Sequence, residues 1–180
     1  MVKYTPNPRK IIEALVWAAE KCPGKGFHFI LKTLFYADKY HLQKYGRPVL
    51  GDTYVKMSFG PVASMAYDLL KQNDFLPEQL FREVSEALGV VRGTLPEVKA
   101  KRPPKTDLFS GTDIEALSAA LEQCRNLDFN NLTDITHQER AWVEAALNNE
   151  MDYELFIDED VDNREELINY LRESSTHLAV

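Results

Sequence analysis

Between Phe27 and Tyr45 the chain carries apolar residues on more than one face of any helix it could form: Phe27, Ile30, Leu31, Leu34, Phe35, Ala37 and Leu42 leave little polar stripe. Such a helix loses free energy wherever it meets water, so the rest of the chain has to wrap it, and it is expected as the central, buried helix of the fold. Gly46 follows where a left-handed C-terminal residue belongs, and Pro48 prevents continuation. Ahead of it, Ile11, Ile12, Leu15, Val16 and Ala19 recur at helical spacing after Pro8, which suits a first turn, and Pro23-Gly24 ends that helix. A chain of 180 residues, 44% of them hydrophobic, can bury one core. The fold expected is mainly α, a compact single-domain helical bundle with a small antiparallel β-hairpin or wing.

After the central helix, Thr53 to Ser58 alternates in β-favouring types and reads as a short strand. Pro61 is expected to open a third helix, with Val62, Met65, Ala66, Leu69 and Leu70 inward. Leu80, Phe81, Val84, Ala87 and Leu88 continue as an amphipathic helix stopped by Gly89; Val90 to Arg102 then reads as a hairpin or wing. In the last third, Thr112 with Glu115 and Thr136 with Glu139 fit capping boxes, and Asp162 with Glu165 repeats the pattern. The division expected is an N-terminal arm over residues 1–10, one domain over 11–174 and a flexible C-terminal tail over 175–180.

Charge is unevenly spread. Residues 1–75 hold eleven basic against six acidic side chains (+5), residues 76–108 six against five (+1), and residues 109–180 four against seventeen (−13). The acidic third would repel phosphate, which weakens the case for a general nucleic-acid binder and suits a basic protein partner. No run has the length of a membrane helix, and the stretch with Lys3, Pro6, Pro8 and Arg9 has no secretory apolar core, so the expectation is a cytoplasmic protein without membrane contact. Cys22 and Cys124 are widely separated and read as two reduced thiols.

Candidates for chemistry are few. Asp38 and His41 stand one helical turn apart and could form an acid–base or metal pair, or equally a polar network that ties down the turn after the helix. A metal needs a third ligand; His28 lies about 20 Å away along the axis, and His137 could approach only through tertiary folding. Acidic residues alternate from Asp158 through Asp160 to Asp162 as in a calcium loop, but Asn163 stands where that loop needs Gly and Asn169 where it needs a closing Glu. Glycine-rich phosphate loops are absent. No catalytic residue, metal or cofactor is therefore expected. Two alternatives stay open: a winged-helix-like DNA-binding regulator using Lys99, Lys101 and Arg102, and a hydrolase using Asp38, His41 and His137.

Aromatics are dense between Tyr36 and Tyr67. Some must serve the core; Tyr40, Tyr45, Tyr54, Phe59 and Tyr67, with Lys99, Lys101 and Arg102 of the wing, are the candidates for a partner-binding surface. The order of parts here, Tyr36-Ala37-Asp38 with Tyr40-His41, then Gly51-Asp52 with Tyr54, then Gly60-Pro61-Val62, and far downstream Thr136-His137 with Ala141-Trp142, resembles the SocA-like antitoxin family, also called the Panacea domain. The resemblance implies an antitoxin that binds a cognate toxin protein directly, with a protease as a further partner in an adaptor mode. It also implies that Tyr36, Asp38, His41, Gly51, Asp52, Gly60, Pro61, Val62, Thr136, His137 and Trp142 build the shared scaffold. The oligomeric state is not written in the sequence, and Pro77 to Pro104 matches no part of the family pattern.

Overall fold

In a computed structural model, which describes residues 2–72, 75–91, 93 and 96–174, the chain is mainly helical. In order come α1 (Pro8–Lys21), α2 (Phe27–Tyr45), β1 (Tyr54–Met57), β2 (Gly60–Ala63), α3 (Ser64–Lys71), α4 (Glu78–Ala87), β3 (Leu88–Val91) and β4 (Glu97–Ala100). A 3-10 turn leads to α5 (Gly111–Cys124), α6 (Phe129–His137) and α7 (Arg140–Glu144), and a second 3-10 turn (Tyr153–Phe156) precedes α8 (Arg164–Ser174). The tail expected at 175–180 lies outside the described residues.

α2 is the axis of the fold. Every residue from Phe29 to Lys39 is buried, including Lys32, Thr33, Asp38 and Lys39, and α5 packs along it most extensively, with β2, α1 and α6 filling the remaining sides. Gly46 ends it at φ 72°, its N–H donating to the Leu42 carbonyl. The stretch expected as an arm joins the core: Val2 and Tyr4 are buried, Tyr4 edge-on to Tyr153, and Asn7 caps α1 by accepting the Arg9 and Lys10 N–H groups.

Two antiparallel hairpins sit against the helices. β3 pairs with β4 from Leu88–Ala100 to Val91–Glu97, so the wing starts two residues earlier than expected. β1 pairs with β2 from Tyr54–Ala63 to Met57–Gly60. This second hairpin corrects the expected helix at Pro61: Pro61 and Val62 lie in β2, and α3 begins at Ser64. The reason is tertiary. Asp52 supplies the cap, its carboxylate accepting the N–H groups of Thr53, Met65 and Ala66 at 2.7, 3.0 and 2.9 Å, which fixes the helix start at Ser64.

The expected caps of the last third also shift. Ser110 and Asp113, not Thr112 and Glu115, form the capping box of α5. Thr112 turns to His41 instead, and Glu115 accepts from Lys44 and Tyr45. Asp128 caps α6 through the Asn131 N–H; Thr136 lies buried in that helix's last turn, donating back to the Leu132 and Thr133 carbonyls, and His137 ends the helix rather than starting the next. α8 starts at Arg164, with the Asn163 carbonyl accepting the Leu167 N–H.

Candidate protein-interaction surface

The motif residues expected to build the scaffold include Asp38 and His41, which anchor two separate buried networks. Asp38, fully buried, accepts the Leu50 N–H at 2.7 Å and the Gly51 N–H at 3.1 Å, with the Tyr54 hydroxyl 3.1 Å and the Tyr153 hydroxyl 3.3 Å from Oδ2. Burial holds its carboxyl up at about 6 against those donors. One turn on, His41 points elsewhere: Nδ1 lies 2.7 Å from the Arg47 carbonyl, and Nε2 lies 3.0 Å from Thr112 Oγ1 and 3.3 Å from Asp113. Burial lowers its pKa. Asp38 therefore anchors the loop into β1 and His41 anchors the turn after α2 to α5, and the two share no partner. Among the described residues, no three His, Cys, Asp or Glu side chains gather closely enough to hold a metal ion.

A second cluster surrounds the turn between β1 and β2. Lys32, only 1% exposed, donates to the Pro61 carbonyl at 2.8 Å, and burial lowers its ammonium to about 7. Gly60, at φ +99°, leaves room for it: a Cβ there would lie 2.5 Å from Thr136 Oγ1 and 3.0 Å from Lys32 Nζ. His28 bonds Thr133 Oγ1 at 3.1 Å and the main chain at Phe59, while His137 bonds the main chain at Ser58 and stacks on Trp142 with 3.8 Å between ring centroids. Three basic side chains from α2 and α6 thus clamp one short turn.

That turn presents Phe59, 59% exposed, edge-on to Phe129 at 5.3 Å. Phe129, itself 43% exposed, stacks on His28 at 4.1 Å. Beside them opens a groove of about 470 Å³ lined by Phe27, His28, Tyr67, Leu127 and Phe129, with Lys25 at its wall. Tyr67 meets Phe27 edge-on and carries Lys71 over its ring at 4.0 Å. Exposed aromatics that touch one another around a groove are costly to leave in water, and they supply the large, low-entropy anchors that protein interfaces use.

Of the residues expected to bind a partner, Phe59 and Tyr67 meet on this face. Tyr45, at the other end of α2, is half-exposed and donates to Glu115; Tyr40 is half-buried and stacks on Tyr36. Tyr54 has to be removed from the surface, because it is 1% exposed and belongs to the Asp38 network. The basic wing is also largely spent. Arg102 forms a two-pronged pair with Glu13 at 2.5 and 2.7 Å, and Lys101 donates to the Ser85 carbonyl at 2.7 Å, leaving Lys99 exposed. The sequence reading missed Phe27, His28 and Phe129 as surface residues. Phe129 follows the Asp128 cap, so its place in the first turn of α6 was the available signal.

The model of the family described as antitoxin SocA-like, Panacea domain, matches residues 30–143, a span that holds both sequence motifs and runs from α2 into α7. No curated protein and no solved structure matches the chain. Among the described residues, no helix is long and apolar enough to cross a membrane.

Proposed function

This chain belongs to the antitoxin SocA-like Panacea family, and from that premise we propose that it neutralises a cognate toxin protein by covering it with the face built around Phe59 and Phe129. Family membership supports a toxin–antitoxin role in general. The observation that carries the finer reading is the contact of two exposed rings, Phe59 and Phe129, backed by half-buried His28 and continued across the groove by half-buried Phe27 and Tyr67. The scaffold residues carry the reading from below, since Asp38, Asp52, Gly60 and Thr136 are buried and spend their hydrogen-bonding capacity or space on holding β1, β2 and α3 in place. Binding rather than turnover suits the diverging partners of Asp38 and His41, because an acid–base pair must face a common substrate.

The test is co-expression with a small toxic protein, sought first in the adjoining reading frame. The expected result is restored growth and a stoichiometric complex that co-purifies. Rescue without complex formation, or turnover of a small molecule by the purified chain, overturns the reading, and rescue that requires a host protease places the chain in the adaptor mode.

A further inference from the structure

We propose that Lys32, flanked by His28 and His137, is a protonation-controlled latch beneath the β1–β2 turn: the uncharged amine keeps the turn closed, and charge collecting under it lets the turn lift. The geometry sets the terms. The amine lies under Gly60, 1% exposed, and the Pro61 carbonyl is the acceptor it bonds, whereas an ammonium carries three donors. Water supplies the missing acceptors only when the turn moves away. The titratable groups around it supply no counter-charge for the ammonium. His28 comes from its own helix, His137 from α6 and Cys124 from α5, while Lys56 of β1 and Asp134 of α6 act on His137; β2 contributes only Gly60 and Pro61. Lys32 opposes protonation of both histidines, and the Cys124 thiol, itself pushed up to about 11 by burial, offers no anion near neutral pH.

Burial lowers the closed-state Lys32 to about 7 against an ordinary value of 10.5, so opening becomes easier as pH falls between those values and levels off below about 7. His137 Nε2 is buried without a hydrogen-bond partner among the described residues, which leaves the clamp a donor or acceptor short on its α6 side even when closed. Because the turn carries Phe59, lifting it would break the Phe59–Phe129 contact; that consequence rests on the proposed use of this face, whereas the latch itself does not.

The experiment follows amide exchange of the full chain without any toxin, so its outcome is separable from the binding proposal. After correction for intrinsic exchange, protection of the 54–63 segment relative to α1 is expected to drop on the order of tenfold between pH 8.5 and pH 6 in the wild type, and to stay level in Lys32→Met. An unchanged wild-type ratio, or the same drop in Lys32→Met, overturns the latch. A second measurement needs no variant: in a carbon-labelled lysine titration of the wild type, a buried lysine responding near pH 7 supports it, and all lysines titrating near their ordinary value overturn it.

Discussion

The Tyr54 hydroxyl stands 3.1 Å from Asp38 Oδ2 at the buried centre of the protein, tying the first residue of β1 to the middle of α2. An asparagine at 38 would turn an NH2 towards donors that need an acceptor, so Asp38→Asn is expected to cost about 1–3 kcal/mol. The cost depends on pH. The folded carboxyl keeps its proton up to about 6, whereas the unfolded one releases it near 3.8, so between those values the native state binds more protons and stability falls as pH rises. That two-unit difference is worth about 3 kcal/mol. Urea denaturation should show the gap between wild type and Asp38→Asn narrowing from pH 4 to pH 7; a gap that widens contradicts the raised carboxyl.

Gly60 pairs a positive φ with a closed space, so substitution there meets two penalties at once. An alanine at φ +99° is strained, and its Cβ would collide with Thr136 Oγ1 at 2.5 Å and Lys32 Cε at 2.9 Å. Gly60→Ala is expected to destabilise by about 3 kcal/mol, or about 10 °C in Tm. Thr136→Ala in the same background removes one collision and leaves the strain, so it should recover part of the loss. Additive losses in the double variant would show that the contact is not shared.

The parts of the fold set by one segment's own pattern were legible in the sequence. α2 announced its burial through apolar residues on more than one face, and Gly46 announced its end. Two of the departures lie where distant segments compete for one group. Ser110 and Thr112 each precede an acidic residue at capping distance, and the choice fell to Ser110 because His41, 71 residues away, engages Thr112. Pro61 could open a helix or edge a strand; the pairing of β2 with β1 and the capping of α3 by Asp52 decided it. For the candidate surface, the aromatics of the motif region were visible but their faces were not. Tyr54 and Phe59 stand five residues apart on one hairpin, one wholly inside and the other mostly outside.

The Arg102–Glu13 pair joins the segment after β4 to α1 and includes the Lys105 N–H, which donates to Glu13 at 2.8 Å. Removing one partner strands a carboxylate whose side chain is 5% exposed, so Arg102→Ala is expected to cost about 2–3 kcal/mol. Burial opposes ionisation of Glu13, but the Arg102 hydrogen bonds outweigh it and hold its pKa below 4.5. The pair's stabilisation is therefore present above that value and fades as pH falls through the folded pKa. Acid titration of stability should be flatter in Arg102→Ala than in the wild type. In a gel-shift assay with duplex DNA, the substitution should change nothing, whereas a wing reading DNA would lose affinity.

Phe59 and Phe129 separate interface from scaffold most sharply, because each is exposed enough to remove at small structural cost. Phe59→Ala and Phe129→Ala should each change stability by about 1 kcal/mol or less. If the aromatic face holds the toxin, each should weaken the complex by about 2 kcal/mol, roughly thirtyfold in Kd, and abolish rescue at low expression. Val143 and Leu147, 56% and 55% exposed away from the groove, give the matching control, and their alanine variants should rescue normally. Asp38→Asn and His41→Gln should also rescue wherever the variant remains folded. Titration calorimetry with the purified toxin measures all of these on one scale. Undiminished affinity in Phe59→Ala and Phe129→Ala, with loss at Val143 or Leu147, would move the interface to the other side of α7.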